Sequence, residues 1–296
     1  MADPLPICYL NGEYLPLNEA RVSPLDRGFL FADSVYEVLP AFAGRMFRFQ
    51  EHFDRLARSL SEVQLPSPHT HREWLVLLEE LIRRNAGVDM YLYVQVTRGV
   101  EYGRNHAFPS SVKPTVFAMA SPLPVLKPEL RERGLAAITV EDFRWGRCDI
   151  KATMLLANVL MKQRAAELGA QEAIIVRDGE VLEGSSTSVM MVRSGVLITP
   201  PNSHRILPGT TRDAAIELAR LNMPVEIRAI TLNELFDADE VWIAAATRDV
   251  LPITSIDSRP IGTGTPGEHW RRTSQEFIDL RAQLAGTDAF AAPEES

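Results

Sequence analysis

The chain has 296 residues, 46% of them hydrophobic and 24% charged, with a formal net charge of −8; this is ordinary globular composition, and the acidic balance argues against nucleic acid, whose phosphates recruit basic faces. No apolar run approaches the roughly 20 residues that cross a bilayer, and the first residues lack the basic and apolar regions of a secretory leader, so a cytoplasmic protein is expected. Cys8 and Cys148 are too few for a disulfide framework, and the six histidines show no ligand spacing, so no metal is expected either.

In chain order, Ile7–Leu10 and Tyr14–Leu17 read as strands around the Asn11-Gly12 turn, and Ser34–Phe42 and Met46–Phe49 as a hairpin around Ala43-Gly44. Phe53, Leu56 and Leu60 share one helical face, which predicts a helix over Phe49–Ser61. Thr70 with Glu73 three residues on predicts a capping box opening a helix over Thr70–Asn85. Met90–Thr97 and Thr115–Ala120 read as buried strands and complete a small domain over 1–120. The prolines at 122, 124 and 128 make 121–128 a linker, because they resist both helix and ladder.

A larger domain over 129–284 follows. It is expected to hold a strand at Ala136–Val140, a helix over Lys151–Leu168 and a strand at Glu172–Val176 that turns at Arg177-Asp178-Gly179. Two strands then flank Ser194-Gly195, a helix starts at Thr210 or Thr211, and strands lie at Val225–Ile230 and Glu240–Ala245. The small and polar residues of 285–296 predict a disordered tail. Two clusters of mixed elements predict an α+β protein of two domains with a cleft between them.

Only four of the 31 basic residues are lysines: Lys113, Lys127, Lys151 and Lys162. Arginine cannot serve as an amine nucleophile near neutral pH, so chemistry that needs an amine has four candidates. Lys151 stands between Ile150 and an apolar helix; it reads either as a lysine with its head in water or as a desolvated amine with a depressed pKa. Glu183 opens Glu183-Gly184-Ser185-Ser186-Thr187, either a solvated turn or a carboxylate and hydroxyls set for a ligand. Gly209-Thr210-Thr211-Arg212 opens a helix, and helix N-termini hold anions as well as ordinary caps. Arg55 lies on the Phe49–Ser61 helix, and Arg104 and His106 lie on a loop rich in turn formers. The latter pair suits either plain solvation or capture of a carboxylate.

Taken together, seven runs in unbroken order resemble the fold type IV pyridoxal-phosphate enzymes: Leu25-Asp26-Arg27-Gly28-Phe29-Leu30-Phe31-Ala32-Asp33, Val35-Tyr36-Glu37-Val38, Glu51-His52-Phe53-Asp54-Arg55-Leu56, Val96-Thr97-Arg98-Gly99, Arg147-Cys148-Asp149-Ile150-Lys151, Glu183-Gly184-Ser185-Ser186 and Gly209-Thr210-Thr211-Arg212. The resemblance spans roughly residues 7 to 280. It implies a small N-terminal α/β domain and a larger C-terminal pseudo-barrel domain. It further implies that Lys151 carries pyridoxal 5'-phosphate as a Schiff base and moves the proton at the substrate α-carbon. Glu183 would pair with the pyridine nitrogen, and Arg55, Ser186 or Thr187, Thr210 and Thr211 would hold the phosphate. Arg144 would lie near the phenolic oxygen, with Tyr36 and Val38 on the substrate side.

Within this family, Arg104-Asn105-His106-Ala107-Phe108-Pro109 is similar to the loop of the D-amino-acid aminotransferases. In that group an arginine and a histidine trap the substrate α-carboxylate across a homodimer that shares its active sites. The expected activity is therefore ping-pong transamination from a D-amino acid such as D-alanine to a 2-oxo acid such as 2-oxoglutarate. Alternatives on the same scaffold are a branched-chain L-amino-acid or (R)-amine transaminase and an aminodeoxychorismate lyase; a protein that binds the cofactor without catalysis is a further one. Pro40 stands where the best-matched members carry lysine, and Ala244-Ala245-Ala246-Thr247 has fewer hydroxyls than the usual turn. Both departures fall on the expected substrate side.

Overall fold

The computed structural model describes residues 3–87, 89–111, 113–124 and 128–286. The chain divides into two units. One runs through Pro124 and adds Ile150–Met154 and the residues from Arg281; the other takes the stretch ending at Asp149 and Leu155–Leu280.

The first unit contains β1 (Ile7–Leu10), β2 (Glu13–Pro16), α1 (Arg27–Phe31), β3 (Ser34–Phe42), β4 (Arg45–Met46), α2 (Phe49–Glu62), α3 (His71–Arg84), β5 (Met90–Thr97) and β6 (Thr115–Pro122). Its strands form a six-stranded antiparallel sheet in the order β2-β1-β6-β5-β3-β4. Alternation along β3 sends Val35, Leu39 and Ala41 into the core with Phe53, Leu56 and Leu60 of α2 and Trp74, Leu78 and Leu81 of α3. Glu37 occupies the same inward-facing set and is fully buried. The opposite face carries Tyr36, Val38 and Pro40, in register with Gln95, Tyr93 and Tyr91 of β5.

The capping box at Thr70 and Glu73 is present in both directions. Thr70→Ala is expected to cost about 0.5–2 kcal/mol of stability, read as a lower denaturation midpoint with unchanged slope; an unchanged midpoint would show that the box adds nothing.

The prolines near 122 do not stop the sheet: β6 continues through Pro122, and residues 125–127 of the expected linker lie outside the described residues. Pro40 is also compatible with its strand. Its carbonyl accepts from Phe47 N at 2.9 Å, so its missing N–H lies on the β4 side rather than in the β5 ladder. The hairpin loses one reciprocal bond there, and β4 is correspondingly two residues long, where Met46–Phe49 was expected.

The second unit holds α4 (Pro128–Arg133), β7 (Leu135–Glu141), α5 (Leu156–Glu167), β8 (Glu172–Arg177), β9 (Glu180–Gly184), β10 (Ser188–Arg193), β11 (Val196–Thr199), α6 (Thr210–Ala219), β12 (Val225–Ile227), β13 (Ile230–Thr231), α7 (Leu232–Phe236), β14 (Glu240–Ala245), β15 (Asp249–Ile256) and β16 (Arg259–Pro260). The last helix, α8 (Glu268–Gly286), begins in this unit and ends in the first. Ten strands form a curled half-barrel sheet in the order β12-β11-β10-β14-β15-β7-β8-β9-β13, with β16 on β15. The α+β class and the small-plus-large architecture are therefore borne out.

Two expected elements take another form. The helix over Lys151–Leu168 begins only at Leu156, because the backbone turns tightly at Lys151, where Ala152 N donates to Ile150 O at 2.8 Å, and Ala152 bridges Val35 on the free edge of β3. Tyr36 N donates to Lys151 O at 2.9 Å and Thr153 N to Ser34 O at 3.2 Å. The single strand over Val225–Ile230 is two: β12 runs parallel to β11, whereas β13 pairs with β9 at the other end of the sheet order.

The N-terminus of α8 is capped by a distant residue. The Glu240 carboxylate accepts from His269 N at 3.0 Å and Trp270 N at 2.8 Å, satisfying N–H groups that no helical carbonyl reaches. Of the expected tail, 285–286 end α8 and 287–296 lie outside the described residues. Among the described residues no helix is long and apolar enough to cross a membrane, and no three metal-ligating side chains gather.

Candidate active site

In the first unit, the main chain holds Lys151. Besides the bond from Tyr36 N, Lys151 N donates to Ser59 Oγ of α2 at 3.3 Å. Its ammonium lies 4.2 Å from the Tyr36 ring centroid, within cation–π range. Tyr36 stacks on Tyr93 at 5.7 Å, and Tyr93 donates to Gln95 Oε1 at 2.9 Å. Burial, with Tyr36 alongside, pushes the Tyr93 phenol up to about 12. Tyr36 and the half-buried Val38 thus share one sheet face with the buried Pro40, and Tyr36 brings that face to Lys151.

Helical spacing on α2 sets His52, Arg55 and Ser59 on one side. Arg55 grips Glu37 through Nε at 3.0 Å and Nη2 at 2.5 Å, and His52 Nδ1 lies 3.0 Å from the same carboxylate. Burial would raise the Glu37 carboxyl, but the Arg55 and His52 charges and hydrogen bonds outweigh it and hold it well below the usual carboxylate range. Burial pushes His52 the other way, below the ordinary imidazole value, with Arg55 and Lys151 reinforcing the shift against the pull of Glu37. Glu37, His52 and Ser59 were not among the expected site residues.

The exposed loop after β5 brings Arg104 and His106 together over Phe31. The Arg104 guanidinium carbon lies 4.9 Å from the ring centroid and the His106 ring 5.3 Å away.

In the second unit, Glu183 is the buried fourth residue of β9. It accepts from Arg144 Nη1 at 2.5 Å and from Leu207 N at 3.1 Å. Arg144 is itself fixed by Asp142, through Nε at 3.0 Å and Nη2 at 3.1 Å, and Arg177 adds a second cation 2.9 Å from Asp142. Burial would lower the Arg144 pKa, yet Asp142 and Glu183 more than offset it and raise it, so the guanidinium stays charged.

Thr210 and Thr211 are the first two residues of α6. Gly209 is its N-cap, with no side-chain cap bond. A side chain at Gly209 would collide with Ser188 Oγ, so the backbone there approaches a neighbour closely. The adjacent Arg212 is 3% exposed, and its Nε has no hydrogen-bond partner among the described residues.

Ser186 is exposed on the turn after β9. Thr187, by contrast, directs its hydroxyl to the buried Glu172 at 3.3 Å, and Ser185 Oγ bonds the same carboxylate. Thr187 therefore braces the turn, and Ser186 presents the free face. Thr247 is half-buried in the turn between β14 and β15.

The model of the amino-transferase class IV family matches residues 34–256. The chain belongs to that family. The class IV match spans the Tyr36, Arg55, Lys151, Glu183 and Thr210 positions, so the family expected from the ordered runs is borne out. The chain is 41% identical over 259 residues to the D-alanine aminotransferase of Bacillus licheniformis, covering 87% of this chain and 90% of that one. It is 37% identical over 285 residues to the D-alanine aminotransferase of Listeria monocytogenes, covering 95% and 98%. Among solved structures, the T.th. branched-chain amino acid aminotransferase with pyridoxamine 5'-phosphate superposes at TM-score 0.88, with 27% identity and 95% of each chain covered. The Escherichia coli branched-chain amino acid aminotransferase superposes at 0.86 with 26% identity, covering 96% and 97%. This class IV chain is an aminotransferase.

Proposed function

We propose that this aminotransferase uses pyridoxal 5'-phosphate to move the amino group of a D-amino acid, such as D-alanine, to a 2-oxo acid such as 2-oxoglutarate, by a ping-pong route. The observation that carries the substrate reading is the pairing of Arg104 and His106 over Phe31, a fork and a second donor suited to an α-carboxylate. The 37–41% identity to D-alanine aminotransferases supports the same reading.

The donor set fits the cofactor. Glu183 is a buried carboxylate held against Arg144, the kind of partner a protonated pyridine nitrogen needs. Thr210, Thr211 and the α6 N-terminus, whose Gly209 N-cap brings no side-chain cap bond, suit a phosphate, with Arg55 and the exposed Ser186 as further donors. Bound there, the cofactor supplies an electron sink for the charge left at the substrate α-carbon. Lys151 is the covalent anchor and, once displaced, the base that moves the α-proton. Arg144 holds Glu183 in place, and Tyr36, Val38, Pro40 and Thr247 shape the substrate side. We place the enzyme in the cytoplasm as a homodimer; the exposed Phe29 and Tyr102 near the loop support an assembled surface.

A single-turnover panel of D- and L-amino acids and chiral amines tests the proposal. D-Alanine is expected to convert the cofactor to its amine form fastest. Faster conversion by a branched-chain L-amino acid or an (R)-amine would overturn the assignment, as would pyruvate release from aminodeoxychorismate without an amino acceptor. Arg104→Ala should raise KM for D-alanine about tenfold or more, the worth of one charge-assisted bond, while cofactor retention stays unchanged.

A further inference from the structure

We propose that Arg27 is a positioning residue for recognition of the substrate α-carboxylate, acting by fixing the main chain of the loop that presents Arg104 and His106. This rests on the carboxylate-trap reading above and adds a residue to it. Arg27 opens α1 and its side chain is 4% exposed, although the loop it serves is exposed. Every nitrogen of its guanidinium is in use. Nη1 donates to Glu101 at 2.6 Å, to Asn105 O at 2.7 Å and to Ala107 O at 3.3 Å; Nη2 donates to His106 O at 3.3 Å, and Nε to Asp33 at 2.9 Å. One side chain thus binds three consecutive carbonyls that bracket His106 and follow Arg104.

The base of the loop is closed independently. Arg27 N donates to Gly99 O at 2.9 Å, and at Gly99 (φ +91°) a side chain would strike the Lys113 carbonyl. Asp33 also takes Arg98 Nε at 2.8 Å, and the Arg98 guanidinium lies 3.8 Å from the Phe108 ring centroid. Asp33 and Glu101 are thus taken up by Arg27 and Arg98. Arg104 makes no ion pair among the described residues, so its charge is available to an anion. Phe31 is shared by the two layers: the Arg27 and Arg104 guanidinium carbons each lie 4.9 Å from its ring centroid.

A lysine at this position would keep the charge but lose the fork that spans three carbonyls. In the holoenzyme, Arg27→Lys is expected to lower the ratio of kcat/KM for D-alanine to kcat/KM for D-alaninamide, which lacks the carboxylate, by about tenfold or more, the scale of a small misplacement of a binding group. Amide hydrogen exchange over residues 101–108 should quicken in the same variant. A purely structural role would lower both substrates alike and keep the ratio, and that result would overturn the inference. Arg104→Ala, run in parallel, separates the two layers. If it collapses the ratio and Arg27→Lys does not, positioning by Arg27 is wrong and the trap stands; if neither variant changes the ratio, the trap itself is wrong. Should Arg27→Lys fail to fold, Glu101→Gln removes the charged loop partner of Arg27; a lowered ratio in that variant supports positioning and an unchanged one overturns it.

Discussion

Lys151→Ala is expected to lower turnover of D-alanine by about a thousandfold or more, within the range for loss of a general base, before the loss of the covalent anchor is added. Stability should barely change. The segment is held by Lys151 main-chain atoms, through Tyr36 N and Ser59 Oγ, which the substitution leaves in place. Only the contact with the Tyr36 ring is lost, worth about 0.5–1 kcal/mol at a partly exposed site. Lys151→Arg should be as inactive as the alanine variant, because it restores charge over the ring but no amine that can lose a proton. Added methylamine should return part of the activity to Lys151→Ala and none to Lys151→Arg. The measurements are single-turnover rates and thermal melts on the same preparations. Turnover near the wild-type rate in either variant would remove Lys151 from the chemistry.

Lys151 also marks where sequence reading reached its limit. Its candidacy was legible from the ordered runs, because motif order survives without knowledge of the fold. Its conformation was not. The apolar stretch after it favours a helix locally, and only the free edge of β3, more than a hundred residues earlier, draws Lys151–Thr153 into backbone bonds with Ser34 and Tyr36 instead. The same kind of non-local competition splits Val225–Ile230, whose two halves serve opposite ends of one sheet. The helix α8 escaped for a different reason. Its buried positions Trp270, Thr273, Ser274 and Phe277 have helical spacing, but two of the four are hydroxyl residues that an apolar count passes over. Where signals were local, they transferred well: the Thr70 capping box and the Asn11-Gly12 hairpin turn lie where the residues put them. At the site, the commitment of Thr187 to Glu172 had no local sign, since that carboxylate sits on another strand. Glu37 did have one. A lone charge among the inward apolar positions of β3 is costly unless a partner waits, and His52 and Arg55 three residues apart are that partner.

That buried cluster supports a second large effect: Glu37→Gln should destabilise the protein by about 3–5 kcal/mol at neutral pH, the cost of stripping one partner from a buried ion pair. For a chain of this size that is a fall in melting temperature of roughly 6 to 20 °C. Glutamine fills the same space and can still accept a hydrogen bond, so the loss measures charge rather than packing. The pH dependence follows from the sign of the shift. The Glu37 pKa is depressed in the folded state, so its contribution is complete above the unfolded carboxyl value of about 4.3 and is lost as pH falls toward the lower folded value. The gap between wild type and variant should therefore be widest near neutral pH and close on the acid side of that value. His52 acts earlier: its folded pKa is lowered, so acid costs stability in both proteins once pH drops below about 6.5. Thermal melts of both proteins from about pH 7 to about pH 3.5, a span that brackets both unfolded values, test this. A gap that stays constant across the range would mean that the Glu37 charge is not what holds Arg55. The same variant should also release cofactor faster, because Glu37 fixes two of the guanidinium nitrogens that set the direction of Arg55. Loss of stability with unchanged cofactor retention would confine Arg55 to the core of the first unit and leave the phosphate to the α6 N-terminus.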